Sequence, residues 1–285
     1  MLFRFTPFAN AAAAHPLFQQ DVRGLARLRN FAKLRHTTLI SFAWGLGFSI
    51  LFLLVIMFLA YPSSFTLLSR AGNASFFLLV VSILLMFIMD TACVFKSANS
   101  INREFANGRW DILKLAGLAE STFVRVKHGI AQLKAWRLFS GVMGLRFTAL
   151  LAYTLINLPT QRLGFAGLLQ TLIFAWMLLF QPYWHLKTTA ALTIFSSTHT
   201  RSITTAYLLS GALIFVLWLI EFGCWYVGII YLSELTSNHW FGTYLTPQEY
   251  LSALIGFVVP TYGVLYLIRS AALRLTARHL STMET

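Results

Sequence analysis

The chain has 285 residues, of which 58% are hydrophobic and 15% aromatic, while only 11% are charged. This composition excludes an ordinary water-soluble domain and indicates that a lipid bilayer is the solvent. The formal net charge of +13 would also suit a nucleic-acid-binding protein, but the positions of the basic residues favour a membrane topology instead.

The first predicted element is a basic amphipathic helix over residues 15–37. Apolar side chains recur in this segment at three- and four-residue steps, and arginines and a lysine occupy the other faces. A helix of this kind lies in the membrane interface, or it serves only as a positively charged anchor for the span that follows. In both cases we expect it to run along the membrane and then turn into the first span.

Six apolar runs follow, each close to the roughly 20 residues that cross a hydrocarbon core. They predict an all-α polytopic protein with six transmembrane helices, forming a single transmembrane domain over residues 1–285. The spans lie near residues 38–61, 74–95, 140–158, 164–182, 204–232 and 248–268. Nineteen of the 22 lysines and arginines fall in segments that these spans place on one side. Basic segments stay inside, so we expect a multi-pass protein of the plasma (inner) membrane with both termini cytoplasmic.

The polar segment 96–139, between the second and third spans, is expected to fold as two helical pieces around a turn. Gly108 breaks the chain, an apolar group that includes Trp110 follows, and Ser121 or Thr122 caps the second helix. The second helix has an apolar stripe at helical spacing: Phe123, Val126, Ile130, Leu133 and Trp136. A loop that was only solvated would not need this patterned apolar surface, so the segment predicts a docking surface for another protein.

Three charged residues lie inside predicted spans, where a charge costs several kcal/mol unless it is paired or hydrated. Asp90 and Arg146 lie at similar depth in neighbouring spans, which predicts that they pair or share a hydrated pocket; a structural ion pair is favoured over an ion or proton relay. Glu221 lies in an unusually long apolar run, two residues before Gly223. It either lines a path beside a break in that helix or bonds to a neighbouring span.

No motif in the sequence predicts chemistry within this chain. A phosphate-binding loop, a nucleophile elbow and a zinc-protease motif are all absent from the sequence, and its seven histidines and two cysteines are scattered. We therefore expect no enzyme activity and no catalytic, metal-binding or cofactor-binding residues here. Most of the histidines are expected to be interfacial or solvated.

Two segments resemble a known family. The first is His15-Pro16-Leu17-Phe18 with Asp21 and Arg23, and the second is Arg103-Glu104 with Gly108-Arg109-Trp110-Asp111-Ile112-Leu113. They are similar to the opening segment and the second-to-third loop of permease subunits of ABC-2, or type V, exporters of the ABC-transporter superfamily. The layout of an interfacial helix, six spans and a long second loop is similar too. The chain departs from the family at Arg109, where Thr or Ser is usual, and at residues 116–119, where Thr-Pro is usual.

The resemblance implies a permease subunit that couples ATP hydrolysis by a separate ABC ATPase subunit to export of a substrate. ATP and Mg²⁺ would be bound by that ATPase, and a second permease subunit, identical or related, would pair with this one among membrane lipids. The segment 100–118 would be the coupling helix. Its expected docking residues are Arg103, Glu104, Gly108, Arg109, Trp110 and Asp111. The alternative is a non-transporting, permease-like scaffold within a larger membrane complex, such as an energy-transducing assembly.

Overall fold

The computed structural model describes residues 31–59, 64–115, 117–157, 165–237 and 247–282. All the regular structure in these ranges is helical, which confirms the all-α prediction. The helices are α1 (Phe31–Leu59), α2 (Ser64–Ser97), α3 (Asn102–Ala106), α4 (Arg109–Leu115), α5 (Glu120–Asn157), α6 (Phe165–His199), α7 (Ile203–Ser237) and α8 (Pro247–Thr282). The predicted amphipathic helix over residues 15–37 lies outside the described residues except for 31–37, which form the first turns of α1 without an intervening bend or turn residue.

Within the described residues, three largely helical segments are long and apolar enough to cross a membrane: His36–Phe58, Asn73–Ala106 and Ile203–Val227. They overlap the first, second and fifth predicted spans. Large apolar side chains are exposed along them, and Trp44 and Phe58 have 76% and 81% of their surface free. Contiguous apolar surface of this kind indicates contact with lipid rather than with water.

Helix α5 is the central element of the bundle. It packs against α1, α2, α6 and α8. The apolar stripe predicted from its sequence is buried along its whole length: Phe123, Val126, Ile130, Leu133 and Trp136. The same cluster continues through Phe139 and Met143 and takes in Met86 and Met89 of α2. Helix α5 therefore continues without a break from the last part of the predicted 96–139 loop into the predicted third span, and the segment between α2 and α5 covers residues 98–119.

Helix α7 runs without a break from Ile203 to Ser237. The break that the sequence allowed near Gly223 is not formed, so Glu221 does not reach an interruption in the helix. The physical reason is that one glycine inside a helix costs only about 1 kcal/mol. A break within apolar surroundings would instead leave backbone N–H and C=O groups without partners, at several kcal/mol each.

Helices α1 and α5 cross with their backbones in contact. A Cβ atom added to Gly45 would lie 2.2 Å from the carbonyl oxygen of Gly141, and one added to Gly144 would lie 2.2 Å from that of Phe42. Only a hydrogen atom fits at either position. Small residues at such crossings let helices gain close van der Waals contact, which is the main attraction between helices in lipid.

We predict that Gly144→Ala forces α1 away from α5, because the added methyl group would overlap the Phe42 carbonyl. Overpacking of this kind is expected to lower the free energy of unfolding by about 1–3 kcal/mol or more, measured by denaturant titration in mixed micelles. Gly211→Ala is the matched control, since a Cβ there meets nothing within 4 Å. A Gly144→Ala protein as stable as wild type would contradict the close crossing.

Candidate functional site

A buried polar network lies where α2, α5, α6 and α7 meet. It contains the three charged residues that the sequence placed inside spans. Asp90, Arg146 and Glu221 are 3%, 2% and 3% exposed. Charges in such surroundings persist only when they are paired and hydrogen-bonded. Their partners therefore determine what this network can do.

His185 of α6 joins the two carboxylates of the network. Its Nε2 lies 2.7 Å from Oδ2 of Asp90, and its Nδ1 lies 2.6 Å from Oε1 of Glu221. Each of these contacts needs a proton between nitrogen and oxygen, but a neutral imidazole carries only one N–H and ionised carboxylates only accept. For both contacts to be hydrogen bonds, the Asp90–His185–Glu221 unit must hold one proton more than a neutral histidine between two ionised carboxylates.

Gln181, one turn before His185 on α6, connects this unit to Arg146. Its side-chain oxygen accepts a hydrogen bond from Arg146 Nη1 at 2.7 Å, and its nitrogen donates to Oε2 of Glu221 at 2.6 Å. An amide suits this position because it accepts at one atom and donates at another, whereas a guanidinium only donates. With the imidazole in its doubly protonated form, the network contains two positive and two negative charges and is neutral.

Because of Pro182, a backbone carbonyl of α6 can accept a further hydrogen bond from Arg146. A proline inside a helix lacks the N–H that would bond to the carbonyl four residues earlier. In α6 that carbonyl belongs to Leu178, and Arg146 Nη1 donates to it at 2.7 Å. Arg146 also donates from Nε to Ser82 Oγ at 2.9 Å, and its Nη2 lies 2.9 Å from the sulfur of Met86. The guanidinium is thus held by α2 and α6 together.

Asp90 also anchors α7 to α2. Its Oδ2 accepts a hydrogen bond from Trp218 Nε1 at 2.8 Å, and its Oδ1 accepts one from Thr189 Oγ1 at 3.0 Å. The Trp218 ring lies between Phe87, at a centroid distance of 4.0 Å, and His185, at 4.7 Å. Residues of two other helices, α6 and α7, therefore bind this one carboxylate, and the hydrogen-bond partners named here are all buried.

Asp90 and Arg146 were predicted to pair or to share a hydrated pocket, and the direct pair is not formed. The two residues belong to one network, but His185, Glu221 and Gln181 stand between them. Glu221 bonds to the neighbouring helix α6, which is one of the two alternatives left open for it. His185, which has no exposed surface, is an exception to the expectation that most of the histidines are interfacial or solvated.

The sequence contained a signal for the residues that were missed. Gln181, His185 and Thr189 follow one another at four-residue steps, which places them on one face of a helix. Three polar residues on one face of an apolar helix, beside Pro182, predict a polar contact with neighbouring helices. The spacing could not predict which carboxylates they meet, because those lie on α2 and α7.

A second histidine, His128 of α5, shows the opposite arrangement. Its Nε2 lies 2.9 Å from the backbone oxygen of Lys187 and donates to it. Loss of hydration, together with the nearby charges of Arg269 and Lys187, holds the pKa of this partly buried side chain well below the usual range. His128 is therefore neutral at physiological pH, because it faces a carbonyl and cations where His185 faces two carboxylates.

The second candidate feature is the elbow, which we define as residues 98–119 between α2 and α5. Its two short helices, α3 and α4, are joined at Asn107 and Gly108. Gly108 has a φ of +65°, in the left-handed region that glycine adopts without steric cost. The break predicted at Gly108 is present for this reason.

Three contacts hold the elbow against the long helices. Lys127 Nζ of α5 lies 2.7 Å from Oε1 of Glu104, and both side chains are buried. Trp110 is buried between the rings of Phe105 and Phe123, at centroid distances of 5.6 and 4.9 Å. The backbone N–H of Ile101 also donates to Ser197 Oγ of α6 at 3.2 Å. The elbow is thus attached to α5 and α6.

These contacts change the set of residues that a partner could touch. Glu104 and Trp110, expected to dock a partner, are buried against the chain itself, while Arg103 and Gly108 are exposed. The backbones of Arg109 and Asp111 lie in α4, and their side chains are outside the described part of the structure. Among the α4 side chains that the structure describes, Ile112 is 65% exposed and Leu115 is 89% exposed.

Comparisons of the chain with protein-family models, with curated proteins and with solved structures found no match.

We predict that Arg146 is energetically coupled more strongly to Glu221 than to Asp90, because one glutamine separates it from Glu221. The test is a pair of double-mutant cycles on the free energy of unfolding in mixed micelles, using Arg146→Met with Glu221→Gln and with Asp90→Asn. The first cycle should give a coupling energy of about 1–3 kcal/mol and the second a smaller one. Additive losses in the first cycle would contradict the bridging role of Gln181.

We predict that Glu104→Ala detaches the elbow from α5, because it removes the carboxylate that neutralises buried Lys127. Removing one partner of a buried ion pair typically costs about 3–5 kcal/mol, whereas replacing both by apolar residues is often neutral. Proteolysis of the 98–119 segment in native membranes should therefore accelerate in Glu104→Ala and return towards wild type in Glu104→Leu with Lys127→Leu. Arg103→Ala, at an exposed residue of the same helix, is the control. Equally fast proteolysis in this control would contradict the conclusion that the Glu104–Lys127 pair attaches the elbow to α5.

Proposed function

We propose that this chain is the membrane-spanning permease subunit of an ATP-driven ABC exporter of the ABC-2 group. The observation that carries the proposal is the elbow, which is firmly attached to the long helices yet exposes Ile112 and Leu115. An exposed apolar pair on a short helix is the kind of surface that a groove in a partner protein covers.

The attachment of the elbow provides a route for mechanical coupling. Lys127, which binds the elbow through Glu104, and Arg146, which belongs to the buried network, lie on the same uninterrupted helix. At 1.5 Å per residue they are separated by about 28 Å along α5. A displacement of the elbow by a partner would therefore move the helix that holds Arg146 against α2 and α6. Changes of this kind convert nucleotide-driven closure of a partner into a rearrangement of spans.

The proposed topology assigns a membrane crossing to each long helix: α1, α2, α5, α6, α7 and α8. Helices α5, α6 and α8 contain 38, 35 and 36 residues, and each therefore exceeds about 50 Å, more than a hydrocarbon core requires. The distribution of lysine and arginine supports an elbow and two termini on the cytoplasmic side of the inner membrane.

The proposed assembly contains an ABC ATPase, which would bind ATP and Mg²⁺, and a second permease subunit. Exposed apolar side chains on α1, such as Trp44 and Phe58, offer surface for lipid or for that second subunit. The scaffold alternative shares the elbow and the fold but would lack an ATPase partner, so partner identity distinguishes the two functions.

We predict that the chain, purified from its native membrane in mild detergent, retains an ATPase that carries a phosphate-binding loop and hydrolyses Mg-ATP. Replacing both Ile112 and Leu115 by serine should lower the amount of copurified ATPase and the rate of ATP hydrolysis at least tenfold, because the docking surface loses its apolar anchors. Partner identity is read by mass spectrometry and hydrolysis by phosphate release.

Asn107→Ser is the matched control, since Asn107 is an exposed polar residue of the same elbow. It should retain the partner and the hydrolysis. Copurification of an electron-transfer or other complex with no ATPase would favour the scaffold function, and retention of the ATPase by the Ile112→Ser, Leu115→Ser variant would contradict docking through the elbow.

A further inference from the structure

The His185 ring is enclosed so that no other hydrogen-bond donor can replace a proton lost from one of its nitrogens. It has no exposed surface, both of its nitrogens face carboxylate oxygens at 2.6–2.7 Å, and the Trp218 ring covers it at 4.7 Å. If the ring lost one proton, a nitrogen lone pair would face an oxygen lone pair at hydrogen-bonding distance. Two acceptors repel at that separation, and one buried group would lose its partner.

We propose that Asp90, His185 and Glu221 form a proton-binding site within the membrane, and that α7 docks onto α2 and α6 only while this proton is bound. The ligand is the proton itself, shared between an imidazole and two carboxylates. Release transfers it from a ring nitrogen to water, leaving a neutral imidazole between two carboxylates. No oxidant, metal or other reactant takes part.

The charges around the site support a bound proton. Arg146 of α5 reaches Glu221 through Gln181 of α6, so the protonated network is neutral and the deprotonated one carries one uncompensated negative charge in apolar surroundings. From α8, the Tyr262 hydroxyl donates to the Met177 carbonyl at 2.6 Å.

Other cations near this part of α6 do not replace the proton. The ammonium group of Lys187 lies 4.2 Å from the centre of the Tyr183 ring, and the guanidinium of Arg269 lies 5.4 Å from that of Trp184. Both are thus engaged with aromatic rings beside the network, whose own charges come from Asp90, Arg146, His185 and Glu221.

Helix α7 is positioned to respond to the proton. Trp218 and Glu221 are its contacts to the site, and both face inward. On its outer side Phe215, Leu219 and Phe222 are 63%, 56% and 48% exposed, so lipid rather than protein opposes movement there. Release of the proton would thus free α7 to move away from α2 and α6. A link between this movement and export rests on the proposed function, whereas the proton site itself does not.

The proton can be observed directly by nitrogen NMR of the full chain, labelled with ¹⁵N-histidine and reconstituted in lipid bilayers. At pH 8.5 an ordinary histidine, with a pKa of about 6.5, is only about 1% charged. Of the seven histidines, one should show two protonated ring nitrogens, and His128 should be among the neutral ones. The charged signal should disappear in His185→Asn. Seven neutral histidines in wild type, or a charged signal that persists in His185→Asn, would overturn the proposal.

The Glu221→Gln variant distinguishes loss of the additional proton from loss of the packing of α7. An amide at this position can donate to Nδ1, so a neutral imidazole can bond to both Asp90 and residue 221 without the additional proton. The charged signal at pH 8.5 should therefore be lost in Glu221→Gln while α7 stays docked. Persistence of the charged signal in this variant would contradict the sharing of the proton by both carboxylates.

Docking of α7 is measured by backbone hydrogen–deuterium exchange at a fixed pH of 7. The glutamine in His185→Gln is neutral and cannot compensate the charge of the two carboxylates, so amides over residues 203–227 should exchange at least tenfold faster than in wild type. Glu221→Gln and His199→Gln, the latter an exposed histidine at the end of α6, should exchange as wild type does. If His185→Gln does not fold, wild type is measured at pH 10 instead. Its α7 amides should then exchange faster than those of Glu221→Gln at the same pH, which serves as the reference for the effect of pH on exchange itself.

Unchanged exchange over α7 in the deprotonated or His185→Gln state would overturn the docking role. Neither measurement includes an ATPase, so a negative result here leaves the exporter proposal unaffected, and loss of the ATPase partner would leave the proton site unaffected.

Discussion

The structure depends on a single constraint, which is that charges buried among apolar helices must neutralise one another through direct contacts. His185 satisfies this constraint for two carboxylates that come from helices on either side of it, Asp90 on α2 and Glu221 on α7. Gln181 then extends the contact to Arg146. Without the imidazole, α2 and α7 would each present a carboxylate to an apolar interior, and their association with α6 would cost free energy instead of releasing it.

Two buried basic side chains on one helix connect the regions proposed to carry function. Near its start α5 holds the elbow through Lys127, and farther along it holds α2 and α6 through Arg146. The close glycine crossing fixes α1 against the same helix near Gly141 and Gly144. Since α5 is uninterrupted between these points, the elbow and the buried network both contact one continuous helix, through which the proposed partner at the elbow would act on the network.

Much of the fold follows from periodicity and composition. Exposed apolar side chains around α1 and α7 reflect segments that are hydrophobic on all sides, and the stripe from Phe123 to Trp136 reflects three- and four-residue spacing. Spacing was less informative about where helices end. The sequence allowed a break near Gly223, but unsatisfied backbone groups cost more than a helical glycine, so α7 continues through it.

Residue types and positions along the chain determined that this protein is helical, that it belongs in a membrane, and that Asp90, Arg146 and Glu221 need polar partners. Only the tertiary structure decided which partners they have. The residues that meet at His185 are separated by 95 and 36 positions in the chain, and their pairing depends on how three helices rotate about their axes as they pack. The same holds for Glu104 and Trp110, whose charge and aromatic character suggested contact with another protein. A local pattern indicates which face of a helix a residue lies on, but not which element packs against that face. Here α5 packs against both Glu104 and Trp110.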